Sequence, residues 1–64
     1  MNNTLKSKQI TKDVEIVSNI YGQWAALKIS GGNVINSRSW VSKPVALKRA
    51  NLLQADIDDG LIKA

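Results

Sequence analysis

Neither cysteine nor histidine occurs in the sequence, and that double absence constrains the fold more than any motif. Disulfides are impossible, and zinc sites of the Cys/His type are excluded. A chain of 64 residues also buries only about 60% of the surface its unfolded form exposes. Its core supplies roughly 3–5 kcal/mol at best. Apolar packing and hydrogen bonds must therefore hold the fold, and self-association is the remaining common support. The lack of cysteine suits a reducing cytoplasm.

Hydrophobic patterning predicts one domain over residues 13–64. Residues 1–12 are polar and aperiodic, and are expected to form a disordered basic tail. In "DVEIVSNI", Val14, Ile16 and Ile20 alternate with polar or outward positions, which predicts a strand. Two more strands are expected at 23–30 and 34–41, joined by a turn at Gly31, Gly32 and Asn33. A three-residue turn is the preferred register. It sets Ala25, Leu27 and Ile29 on one face with Ile35, Ser37, Ser39 and Val41. Trp24, Ala26, Lys28 and Ser30 then share the other face with Val34, Asn36, Arg38 and Trp40, with the two indoles directly opposite each other.

"SKPVALKRANLLQADIDDG" predicts a helix, with Ser42 as N-cap, Pro44 in the first turn and Gly60 as the stop. At 100° per residue, Ala46, Leu47, Ala50, Leu53, Ile57 and Leu61 form one apolar stripe. Val45 and Leu52 fall on the opposite side and are candidates for a dimer contact. The expected fold is α+β, a three-stranded antiparallel meander with one C-terminal helix packed on one face (βββα).

The net charge of +4 points toward nucleic acid. Lys6, Lys8 and Lys12 carry most of the excess, which leaves residues 13–64 nearly neutral and weakens that reading. On the helix, Lys43, Lys48 and Arg49 precede Asp56, Asp58 and Asp59. That order opposes the helix dipole at a cost of a few tenths of a kcal/mol per charge. A helix start flanked by cations is a natural place for a phosphate or carboxylate.

Enzyme chemistry finds little support in a chain with five carboxylates and no histidine or cysteine. "DIDDG" lacks the alternating ligand spacing and terminal glutamate of an EF-hand, and reads as a solvated helix end. "SGGN" reads as a turn, since it does not precede a helix. No cofactor or metal is expected. No apolar run approaches the roughly 20 residues that span a bilayer, and the N-terminus has no secretory h-region.

The stretch from Gly22 to Leu53 resembles the sheet-plus-helix of integrase arm-type DNA-binding domains and of plant Apetala-type factors. The residues that carry the likeness are Gly22, Trp24, Gly31, Gly32, Arg38, Trp40, Ser42, Lys43, Ala46 and Ala50. The stretch looks equally like small YegP-type bacterial domains, a likeness that implies no activity. The integrase-like resemblance implies a sheet lying in the major groove, with Trp24, Lys28, Asn36, Arg38 and Trp40 facing DNA.

Two functions follow as expectations. The first is a small non-enzymatic nucleic-acid-binding accessory or regulatory protein. It would use the helix-free sheet face, with Lys43 and Arg49 as further contacts. The alternative is a protein-interaction module, either a homodimer through Val45 and Leu52 or a small inhibitor or adaptor of the kind phages and mobile elements encode.

Overall fold

The computed structural model describes residues 6–30 and 36–63. Three strands and one helix follow in order: β1 (Lys6–Gln9), β2 (Val14–Ser18), β3 (Trp24–Lys28) and α1 (Lys43–Asp58). The sheet is an antiparallel meander in the order β1-β2-β3. The architecture is βββα, as the patterning predicts. One of its strands lies outside the expected set, and one expected strand is replaced.

β1 lies inside the stretch expected to be a disordered tail. Its sequence, KSKQ, has no apolar alternation, and all four residues are exposed. Main-chain pairing to β2 makes it a strand, with Lys6 opposite Ser18 and Lys8 opposite Ile16. Lysines on a short edge strand also discourage further strand addition. Ile10, just beyond β1, packs against the core and anchors the strand.

The expected third strand at 34–41 is the second correction. Its first two residues and the turn at Gly31, Gly32 and Asn33 lie outside the described residues. Residues 37–39 form a turn instead, closed by the Ser39 N–H to the Asn36 carbonyl at 3.0 Å. Among the described residues of that stretch, Val41 alone pairs with the sheet. It exchanges two main-chain bonds with Trp24, at 2.7 and 2.8 Å.

Adding β1 makes β2 the central strand, paired along both edges, and its residues are buried on both faces. Val14 and Ile16 are fully buried toward the helix, while Val17 is buried on the reverse side. Register carries each face across the sheet. Lys6, Ser18 and Trp24 share the helix side, as do Lys8, Ile16 and Ala26. The other face carries Ser7, Val17 and Ala25, then Gln9, Glu15 and Leu27.

The helix closes the core with Ala46, Ala50 and Ile57 against Val14 and Ile16, and Trp24, Ala26, Leu47 and Leu53 pack around them. Ala46 and Ala50 are both fully buried. Their small side chains let the helix axis approach the sheet closely. α1 covers β2 and β3 and does not touch β1.

Local signals set the helix ends. Ser42 occupies the N-cap with extended backbone, though its side chain makes no capping bond, and Pro44 stands in the first turn. At the other end Gly60 adopts φ 78°, the left-handed conformation glycine tolerates best. The Leu61 N–H donates to the Asp56 carbonyl at 2.9 Å and the Gly60 N–H to the Ile57 carbonyl at 3.1 Å, the paired bonds of a Schellman stop. This stop turns Leu61 out to solvent at 75% exposure, and Ile62 packs on the core in its place. Leu61 is thus not part of the buried stripe.

Gln54 was not marked by periodicity, yet it is buried in the helix face and joins α1 to the β1–β2 turn. Its Oε1 accepts from the Thr11 hydroxyl at 2.6 Å and from the Asp13 N–H at 3.1 Å. Its Nε2 donates to Asp13 Oδ2 at 2.9 Å and to Asp58 Oδ1 at 3.1 Å. The Val14 N–H in turn donates to the Thr11 hydroxyl at 3.1 Å. Every hydrogen-bonding position of the Gln54 amide is used. No buried side-chain polar atom lacks a partner among the described residues.

Candidate functional site

The sheet face expected to bind is not assembled as the pattern suggests. Trp24 and Lys28 belong to the helix side, because β3 pairs with Trp24 opposite Ser18 and Lys28 opposite Val14. Trp24 packs against the core, half-buried. The Lys28 ammonium donates to the Lys63 carbonyl. The indole pair is likewise replaced, since Val41, not Trp40, stands opposite Trp24. Continuing that register by one residue sets Trp40 level with Ala25, and the ring is half-buried. The helix-free face itself carries serine, glutamine, glutamate and small apolar residues, with no cation from the sheet.

The remaining candidates gather elsewhere. Lys43 Nζ lies 5.1 Å from the centroid of the Trp24 ring, a cation–π contact at the start of α1. Asn36 is exposed, and its side-chain carbonyl accepts the Arg38 N–H at 2.9 Å. Arg38 is thus presented from a turn, and the Arg49 guanidinium reaches the Arg38 carbonyl at 3.4 Å. The structure therefore joins Lys43 to Trp24 and Arg49 to Arg38. Asn36 stays with Arg38 in its turn, Lys28 lies on Trp24's face but at the far end of β3, and Trp40 falls on the other face.

The topology sorts charge along the molecule. Trp24, Ser18 and Lys6 form one end of the sheet, and α1 begins there, because Val41 pairs with Trp24. The helix ends at the opposite edge, where Gln54 bonds Thr11 and Asp13. Lys43, Lys48 and Arg49 stand in the N-terminal half of α1, Arg38 is bonded to Arg49, and Lys6 lies at the same end of the sheet. These are five of the nine cations, and none of the five carboxylates is with them, while Lys8 lies mid-sheet beside the Gln9–Glu15 pair. Asp13, Glu15, Asp56, Asp58 and Asp59 all lie toward the other end. Lys12 is there too, in the ion pair seen among the described residues, 3.9 Å from Asp58. The positive pole of the helix dipole adds to the field of the basic half.

Periodicity gives no site role to two residues that the structure exposes. The turn between β2 and β3 presents Ile20 at 61% and Tyr21 at 79% exposure. It leaves the sheet beside Ser18 and Trp24, at the basic end. The signal was available in "NIYG", where two large apolar side chains sit in a turn. Strand alternation made Ile20 look like the last inward residue of β2.

Neither a pocket nor a cluster of three potential metal ligands is found among the described residues. No helix there is long and apolar enough to cross a membrane. Compared with known proteins, the chain matches no family model, no curated protein and no solved structure. Its function has to be argued from its own residues.

Proposed function

We propose that the protein is a small non-enzymatic nucleic-acid-binding protein, acting as an accessory or regulatory factor in the cytoplasm. It grips phosphates with the basic half of the molecule, not with the helix-free sheet face. The observation that supports this reading is the bias of charge along α1, with Lys43, Lys48 and Arg49 in its N-terminal half, Arg38 bonded to Arg49, Lys6 at the same end of the sheet, and Asp56, Asp58 and Asp59 at the far end. A solvated surface needs no such sorting, and mixed signs keep a protein soluble more simply. Lysines and arginines on one side neutralise several phosphates at once and release their counterions. On this view the likeness to integrase arm-type domains extends to the class of polymer bound and not to the face that binds it.

Titration of labelled DNA and RNA at two salt concentrations tests the reading. Affinity should fall steeply as salt rises. Replacing Lys48 and Arg49 together by glutamine should lower the slope of log affinity against log salt by about 2, one for each lost phosphate contact. Replacing Lys12 and Lys63, at the acidic end, should change it far less. Failure to bind either polymer at low salt would remove the proposal.

A second reading, a protein-interaction module, is favoured by the outer face of α1. Val45 and Leu52 are 41% and 61% exposed there. Arg49 and Asp56 flank Leu52, seven residues apart and opposite in charge. Two such helices packed antiparallel about Leu52 would bring Arg49 of each copy against Asp56 of the other. A parallel pair would oppose like charges. A homodimer fits this pattern better than an unrelated partner does. Sedimentation of the pure protein should then show a concentration-dependent mass, and Leu52→Glu should reduce it to that of the monomer. A constant monomer mass for the wild type rejects the dimer.

A further inference from the structure

We propose that Tyr21 stacks on an unpaired base of a single-stranded nucleic acid, an inference that rests on the nucleic-acid reading above. The turn holding Tyr21 is over-determined. The Asn19 side-chain carbonyl accepts the Tyr21 N–H at 2.9 Å and the Gln23 N–H at 3.0 Å. Asn19 Nδ2 donates to Gln23 Oε1 at 3.1 Å, and the Asn19 N–H donates to the Gln23 carbonyl at 3.0 Å. The Gly22 N–H closes the turn on the Asn19 carbonyl at 3.2 Å, with Gly22 at φ 75°. Asn19 itself is buried.

So many bonds are spent on a tip whose largest side chains face water. An aromatic ring held on a fixed backbone loses little entropy when it meets a ligand. The tip's position argues for which ligand. Ser18, the residue before Asn19, pairs with Lys6 on one side and Trp24 on the other, and Lys43 lies over Trp24. An exposed ring at the end of the molecule with cations and no carboxylates suits a polyanion with accessible aromatic faces. A single strand offers these, with phosphates for Lys6 and Lys43 and a base for Tyr21. A duplex hides its base faces inside the stack and would have to be unstacked first.

The test uses the full chain with labelled oligothymidylate and a DNA duplex of equal length, followed by fluorescence anisotropy. Wild type should favour the single strand. Tyr21→Ala should weaken single-strand binding by about 5- to 150-fold, the loss of one base–aromatic stack. It should leave duplex affinity and the salt slope unchanged. Tyr21→Phe keeps the ring and should bind within about threefold of wild type. Because Tyr21 is exposed, the thermal midpoint of both variants should match wild type, which separates stacking from folding. Unchanged single-strand affinity in Tyr21→Ala overturns this proposal and leaves the phosphate-binding role standing. Absence of any binding by wild type overturns both.

Discussion

Replacing Gln54 by glutamate should destabilise the protein by about 2–4 kcal/mol at neutral pH, with recovery on acidification. The wild-type amide donates to Asp13 Oδ2 and Asp58 Oδ1 and accepts from Thr11 and Asp13. A carboxylate can still accept, but it can no longer donate. Both acceptors lose their partner and gain a like charge beside them. The introduced carboxyl group would be easier to protonate in the folded state than in the unfolded chain. Its folded pKa is then raised, so the folded state binds more protons, and stability rises as pH falls through that value. Urea melts at neutral and mildly acidic pH give the answer. Against a total of only roughly 3–5 kcal/mol, the variant should be largely unfolded at neutral pH and regain cooperative folding in acid. A neutral midpoint equal to wild type would show that the amide network contributes nothing. Gln54→Leu should also destabilise, but without the recovery in acid.

Ile16→Ala should be the most damaging truncation in the sheet, at about 2–5 kcal/mol. Ile16 is fully buried in the central strand, paired with Ala26 and packed in the cluster that holds Ala46 and Ala50. Ala26, Ala46 and Ala50, three members of that packing, are too small to reach into the space left behind. The transfer and cavity terms therefore both apply in full. Circular dichroism at room temperature should show loss of cooperative folding. Ile20→Ala, at an exposed position only four residues away, should stay within about 0.5 kcal/mol of wild type. Equal effects at the two positions would contradict the burial pattern of β2.

The same contrasts separate what was readable locally from what was not. The helix was legible because its signals act over a few residues. Ser42, Pro44 and Gly60 mark its ends, and a period near 3.6 places Val45 and Leu52 opposite Ala46, Ala50 and Ile57 whatever lies beneath. β2 was legible from the alternation of Val14 and Ile16. The order of three strands and one helix followed, even though one of the three strands was assigned to the wrong stretch.

Tertiary structure decided the rest. β1 has no pattern of its own, and Lys6–Gln9 becomes a strand only because β2 offers main-chain partners. The expected phase of β3, with Trp24 and Lys28 on the helix-free face, is the wrong way round. In "WAALK" both alternating sets are apolar, Trp24 with Ala26 and Ala25 with Leu27, so periodicity gives neither face the core. Pairing with β2, whose Val14 and Ile16 meet the helix, chose Trp24 and Ala26 for that side. Gln54 had to be buried by partners 41 and 43 residues away in sequence. Period and end signals are local properties of a chain. Face, pairing and polar satisfaction depend on distant segments meeting, and in this protein they moved the candidate site from the open sheet to the basic end.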